Sequence, residues 1–376
     1  MRIAYVCVDP GIPVFGTKGA SVHIQEVVRE LRARGHEVVV YAAKKGREVP
    51  PDLADLKVVE VPVRSDTPAE REYAQQQASA EIVQRIVVDG ADLVYERYSL
   101  FSTVLAEVFA MTGCPGVLEV NAPLIDEQRT HRVLVDELAA RGALKLQVMG
   151  AAATICVSDP VRDWVREQTG TDRAHTVANG VSVTRIQPQP EEPGIPVVTF
   201  VGTLKPWHGV SDLISAAGQA QEKWRLRIIG DGPEREALEA QAESLGLEVD
   251  FRGAVAPQEM PRQLSGSAIG VAPYPDLGGD DEQYFSPLKV YEYLAAGLPV
   301  VASGVGQLPE LLSELGTLVP PSDPAALAAA LDKLATDPKL RAELGARGRK
   351  QAESRHSWSG VVDRILDLAR CEVPHG

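Results

Sequence analysis

The segment Ser286-Pro287-Leu288-Lys289-Val290-Tyr291-Glu292-Tyr293-Leu294-Ala295-Ala296-Gly297 gathers groups suited to an anionic ligand. Serine before proline is a strong helix start, so Ser286 is expected as the N-cap, Pro287 as the first helical residue and Gly297 as the stop. The unpaired amides and positive dipole end of such a helix make a site for a diphosphate. Glu292 follows three to five residues later, roughly 5 to 8 Å along the axis at ~1.5 Å per residue, about the span from a diphosphate to its ribose. There a carboxylate can accept both ribose hydroxyls. The residues alone equally allow a helix-surface glutamate paired with Lys289.

The acidic run Asp276-Leu277-Gly278-Gly279-Asp280-Asp281-Glu282 has the composition of a hard-cation site, but its glycines read better as a loop element, and no metal is expected. Cys7, Cys114, Cys156 and Cys371 show no CxxC or CxxH spacing and are expected as apolar fillers in a reduced cytosol.

These groups need strands to hold them. Ile3 to Val8 reads as a buried parallel strand, followed by a loop with Gly11, Gly16 and Gly19, a helix over Val22 to Arg34 and a strand over Glu37 to Ala42. Strands at Val58 to Val61, Leu93 to Tyr95, Val117 to Val120 and Ala153 to Ser158 continue the pattern, with helices over Ala69 to Val88 and Thr103 to Met111. The alternation predicts an α/β doubly wound sheet. The proline-rich run Ile186 to Pro196 reads as a linker, after which strands at Val197 to Gly202, Leu226 to Ile229, Val249 to Phe251, Ile269 to Ala272 and Pro299 to Ala302 predict a second such domain. The expected division is 1–186, a linker 187–196, a second domain 197–355 and a closing helical segment 356–376. Open parallel sheets bind ligands beyond the carboxyl ends of their strands, so the loops there are the ones to read.

With 376 residues, 44% hydrophobic and 24% charged, the chain is long enough for two ordinary cores. A formal charge of -14 excludes a general affinity for nucleic acid or anionic membranes. The amino-terminal apolar run is too short for a signal peptide and no stretch approaches ~20 apolar residues, so a cytoplasmic protein with at most peripheral membrane contact is expected.

The string Ser286 to Ser303 closely resembles family 4 of the retaining glycosyltransferases, together with Val201-Gly202-Thr203-Leu204-Lys205-Pro206-Trp207-His208-Gly209, Ile229-Gly230-Asp231-Gly232-Pro233, Asn179-Gly180-Val181, Gly16 to His23 and Arg34 to Val38. The likeness spans nearly the whole chain, and it is the order and spacing of these motifs that are specific. It implies the GT-B architecture: two Rossmann-like domains facing a cleft, the donor nucleotide held mainly by the second, the acceptor mainly by the first, and a last helix returning to the first domain. It also implies a retaining transfer from a nucleotide diphosphate sugar, which is a substrate, so no cofactor is expected. The acceptor can be a small molecule, a glycan or a lipid-linked sugar.

The resemblance assigns roles residue by residue. The family usually places an arginine after the glycine at the end of the second domain's first strand and a lysine five residues later; this chain has Thr203 and His208 there. Lys205 is then expected on the phosphates, with His208 as a second donor that can be protonated and Lys289 as a further cation. Donor contacts are also implied for Gly16, Lys18, Gly19, Gly202, Gly230, Gly253, Val255, Phe285, Ser286, Pro287, Leu288 and Glu292. The family's first glutamate is replaced by Tyr284, leaving sugar contacts to the backbone of 285–288, to Asp281 or to Glu282. Asn121 stands where a histidine often approaches the reacting sugar, and is expected to bind a sugar hydroxyl. Glu119, His23, Arg129 and His131 are the expected acceptor contacts, the last two in a charged stretch that is either mobile or simply exposed. Two rival readings share this fold: a non-hydrolysing sugar-nucleotide epimerase, and a silent sugar-nucleotide-binding subunit.

Overall fold

Strands buried on both faces read as unbroken apolar runs, and such runs pair in parallel when helices cover both sides of the sheet. The computed structural model describes residues 1–278 and 286–372, of which the last two by their backbone alone. It contains two wholly parallel sheets. The first comprises β1 (Arg2–Cys7), β2 (Glu37–Ala42), β3 (Lys57–Glu60), β4 (Leu93–Arg97), β5 (Gly116–Val120), β6 (Ala153–Cys156) and β7 (Ala174–Thr176), in the order β3-β2-β1-β4-β5-β6-β7. The second comprises β8 (Val197–Val201), β9 (Arg225–Ile229), β10 (Val249–Gly253), β11 (Ile269–Ala272), β12 (Val300–Ser303) and β13 (Gly316–Val319), in the order β10-β9-β8-β11-β12-β13. Each order reverses once, between β1 and β4 and between β8 and β11. In open sheets that reversal opens a crevice for ligands at the carboxyl ends.

The chain divides into one unit of Met1–Asn179 with Trp358–Gly376 and another of Gly180–Ser357. The proline-rich run 187–196 therefore lies inside the second unit rather than between units. Long-range charge pairs tie it down: Glu191 takes Arg341 Nη2 at 2.7 Å, and Glu192 takes Arg225 Nη2 at 2.9 Å. The helix Trp358–Glu372 belongs to the first unit, where Trp358, Val362 and Ile365 share the apolar core of Ile3, Tyr5, Ile24 and Val28. Arg34, at the end of the helix Gly19–Ala33, donates to Asp363 at 2.7 Å and fastens that last helix.

Candidate active site

In the second unit the switch point is flanked by the ends of β8 and β11. Tyr293, on the helix Leu288–Ala295, spans it: the Val201 amide donates to its hydroxyl at 2.8 Å, and the hydroxyl donates to the Val271 carbonyl at 3.2 Å. The side chain packs closely on β11, where a Cβ on Gly270 would overlap it. This contact fixes the helix over the strand ends. Tyr293→Phe would leave a buried amide and carbonyl unpaired and is expected to lower stability by about 1 to 3 kcal/mol, read as a lower midpoint in urea unfolding at unchanged slope.

The helix start differs from the expected one. The N-cap is Pro287 with ψ 73°, which keeps it out of the helix, and the first helical residue is Leu288. The Leu288 amide donates to the Ser286 carbonyl and the Val290 amide to the Pro287 carbonyl, both at 2.9 Å. These first-turn amides are thus engaged locally. Among the described residues, Ser286 Oγ and Lys289 Nζ are buried side-chain atoms without a hydrogen-bond partner.

Lys289 is the central feature. Its side chain is 7% exposed, and its ammonium sits 4.3 Å from the Phe200 ring centre and 4.7 Å from that of Tyr274. It would lie 3.0 Å from a Cβ on Gly202, so it reaches the backbone where β8 ends. Two aromatic faces compensate a buried cation only in part. Burial accordingly pushes the Lys289 pKa down from its ordinary 10.5 to about 7, against the opposing pull of the Glu292 charge. Glu292 is half-buried one turn on.

The loop after β8 is braced rather than charged. His208 Nδ1 pairs with the Thr203 carbonyl across the turn, which makes Nδ1–H the donor. Burial and the ammonium groups of Lys289 and Lys205 pull the His208 pKa down to about 4. At neutral pH the imidazole is therefore neutral, which corrects the expectation of a protonated phosphate donor; its visible work is to shape the 203–208 turn. Thr203 is exposed, and Lys205 is half-buried with Nζ 4.5 Å over the exposed Trp207 ring. The Gly202 amide donates to Ile229 at 2.9 Å, and the Gly230 amide to Gly253 at 2.8 Å, so three strand ends are laced together there. Val255 is half-buried just beyond. Phe285, Tyr284, Asp280, Asp281 and Glu282 lie outside the described residues. Among the described residues no three His, Cys, Asp or Glu side chains converge as a metal site would require.

In the first unit the glycine loop follows β1. Gly16 is half-buried and its carbonyl accepts from Gln25 Nε2 at 3.0 Å, whereas Lys18 and Gly19 are exposed at the start of the first helix. Glu119 and His23 are not surface contacts. Glu119 is 2% exposed and its oxygens are occupied: Tyr95 OH donates at 2.6 Å, Asn121 Nδ2 donates at 3.0 Å, and His23 Nε2 lies 2.5 Å away. Burial opposes ionisation of Glu119, but His23, Arg97 and Tyr95 outweigh it and hold the carboxyl down at about 2. His23 is wedged edge-on against Trp358 at 4.9 Å. Both are thus positioning groups, corrected from acceptor contacts, and what they position is the half-buried Asn121. Arg129 and His131 are exposed on a regular helix, Leu124–His131, with Arg129 held by Asp126 at 2.9 Å. Cys7, Cys114 and Cys156 are buried thiols.

Sequence reasoning passed over Arg97. It ends β4, beside Glu119 in the strand register, and the available signal was an arginine closing the strand that neighbours β1.

A family model described as Glycosyltransferase Family 4 matches residues 17–185, and one described as Glycosyl transferases group 1 matches residues 195–337. The chain belongs to glycosyltransferase family 4. It is 29% identical to the phosphatidyl-myo-inositol mannosyltransferase of Mycobacterium leprae over 97% of this chain and 96% of that protein. It is 26% identical to the D-inositol 3-phosphate glycosyltransferase of Acidothermus cellulolyticus over 98% of this chain and 90% of that protein. Among solved structures, Anabaena Alr3699/HepE in complex with UDP and glucose superposes with a TM-score of 0.75 at 20% identity, covering 99% of this chain and 100% of that one. The paired parallel sheets are the GT-B fold of a glycosyltransferase. No helix among the described residues is long and apolar enough to cross a membrane.

Proposed function

We propose that this family 4 glycosyltransferase moves a hexosyl group from a nucleotide diphosphate sugar to a hydroxyl of its acceptor, with retention at the anomeric carbon and without a metal. The observation that carries the reading is Lys289, a buried ammonium at the carboxyl end of β8 without a hydrogen bond among the described residues, three positions after Ser286, whose hydroxyl is likewise unsatisfied. A diphosphate supplies the acceptor oxygens and negative charge that both groups lack. Lysine charge would then do what a divalent cation does elsewhere, stabilising the leaving diphosphate as the glycosidic bond breaks. The acceptor oxygen attacks from the face the leaving group vacates, its proton passing to the departing phosphate oxygen. No side-chain acid and nucleophile pair is then needed, in contrast to glycoside hydrolysis. Asn121, braced by Glu119, is the group offered to a sugar hydroxyl.

The names of the relatives favour a mannosyl donor and an inositol-bearing acceptor as the first pair to test, and as transferases they lend the epimerase reading no support. The purified chain should convert GDP-mannose and phosphatidylinositol or inositol phosphate to an α-mannoside in the presence of EDTA, followed by NMR of the anomeric proton. A β product, or activity that vanishes with EDTA and returns with magnesium, would contradict the reading. Glu292→Gln is expected to raise the donor KM about tenfold with little change in kcat, because the ribose contact is made equally in the ground and transition states.

A further inference from the structure

The switch point of the first sheet carries a buried cation of its own. Arg97 closes β4 at the reversal between β1 and β4 and is 8% exposed, yet among the described residues its side chain makes no hydrogen bond or ion pair, and Nη1 is buried without a partner. Its register neighbour Glu119 attracts it through space but forms no ion pair with it, its contacts going instead to Tyr95, Asn121 and His23. Across the same reversal, the Tyr5 hydroxyl, whose ring stacks on Tyr95 at 5.3 Å, is a second buried donor with no partner. A guanidinium cannot relieve its burial by shedding a proton, so an orphaned one is among the more expensive groups to leave in a fold. Its planar fork matches phosphate or carboxylate oxygens two at a time.

We propose that Arg97 binds an oxyanion of the acceptor, a phosphate or a carboxylate, at the first sheet's switch point, so that the acceptor is an anionic molecule. This rests on the transferase reading above, in which the second unit's Lys289 already takes the donor diphosphate, leaving the anion at Arg97 to the other substrate. A neutral polyol brings no charge to the planar fork and would match it less well than a phosphate or a carboxylate.

The test compares full-length wild type, Arg97→Gln, Arg97→Lys and Lys289→Met by thermal unfolding against glycerol phosphate, neutral glycerol, GDP and UDP. Glycerol phosphate, but not glycerol, should stabilise wild type and Lys289→Met. In Arg97→Gln its half-saturating concentration should rise by about tenfold to a hundredfold, and in Arg97→Lys, which keeps the charge and loses the fork, by less. The nucleotide response should survive in both Arg97 variants. An equal glycerol phosphate response in wild type and Arg97→Gln overturns the proposal, as does loss of the nucleotide response on changing Arg97. If Arg97→Gln does not fold, Arg97→Lys against wild type decides on the same terms. Absence of any response to GDP or UDP in wild type sinks the donor reading instead, and the glycerol phosphate arm still reports on Arg97. Flotation with phosphatidylcholine vesicles containing phosphatidylinositol separates the sources: binding that Arg97→Gln abolishes puts the phosphate on a lipid, and unchanged flotation with an intact glycerol phosphate effect puts it on a soluble acceptor.

Discussion

Lys289→Met should lower kcat/KM for the nucleotide sugar by about 10² to 10³-fold while raising the thermal stability of the free protein. The two effects have one origin. The Phe200 and Tyr274 faces and the nearby Glu292 charge compensate the buried ammonium only in part, so the free protein carries a cost that a bound diphosphate relieves. Methionine keeps the length and apolar contacts of the stem and removes the charge. The stability gain has a defined pH dependence. The Lys289 pKa is about 7 in the fold against an ordinary 10.5, so between those values the unfolded chain binds the extra proton and wild-type stability rises with pH. The penalty is complete below pH 7, and the advantage of methionine should be largest there and fade toward pH 10.5. Differential scanning calorimetry of both proteins across that range measures it. A Lys289→Met protein that is both less stable and still active would show that Lys289 is an ordinary core residue.

Gly230→Ala should be among the most damaging single methyl groups in the second unit. Gly230 has φ 145°, a conformation L side chains rarely adopt, and a Cβ there would overlap the Gly202 carbonyl. The backbones after β8 and β9 touch at this point, with Leu204 N donating to Asp231 O at 3.0 Å. The substitution must therefore push the 202–208 turn off the strand ends or break the lacing of β9 to β10. Strain and lost hydrogen bonds together point to a loss of more than about 3 kcal/mol and to loss of nucleotide binding before global unfolding. Gly142→Ala is the matched control: it lies inside the helix Glu137–Gly150 with nothing within 4 Å of the added carbon, and should gain about 0.5 to 1 kcal/mol. Urea unfolding of the two variants, with nucleotide binding measured alongside, gives the comparison.

Much of the scaffold is legible in the sequence because its strands are buried on both faces. β1 and β2 lie in unbroken apolar runs, β8, β9 and β11 in mainly apolar ones interrupted by Thr199, Arg227 and Gly270, and each lies within two residues of its expected bounds. Segments with weaker patterning were invisible. The helix Leu124–His131 buries only Ile125 and Gln128, so its charged residues read as loop, and the edge strands β7 and β13 are short and partly exposed. The run 187–196 looked like a linker because its prolines are local, whereas the arginines that anchor it lie 150 and 33 residues away for the pairs Glu191–Arg341 and Glu192–Arg225.

The site divides the same way. The Ser286–Gly297 segment announces itself by serine, proline and glycine placed at helix ends, but the identity of its unsatisfied groups does not. That the first-turn amides fold back on Ser286 and Pro287, leaving the hydroxyl and the ammonium, depends on a ψ angle at Pro287. The charge state of His208 is set by its burial and then by Lys289, 81 positions further on, so no reading of the loop itself could supply it. Arg97 was missed because an arginine at a strand end normally pairs with a carboxylate, and only the fold shows the nearby Glu119 bonded to Tyr95 and Asn121 instead.

The central claim, that the Lys289 ammonium receives the donor diphosphate, is tested most directly by the protons taken up when a nucleoside diphosphate binds. An ammonium with a pKa of about 7 in the free protein is half deprotonated at pH 7 and mostly so at pH 8, and contact with a diphosphate raises that pKa. Titration calorimetry in buffers of different ionisation enthalpy should show close to one proton taken up per GDP or UDP at pH 8, little at pH 6, and none at either pH in Lys289→Met. Binding that takes up no proton at pH 8, or the same number in wild type and Lys289→Met, would contradict the account.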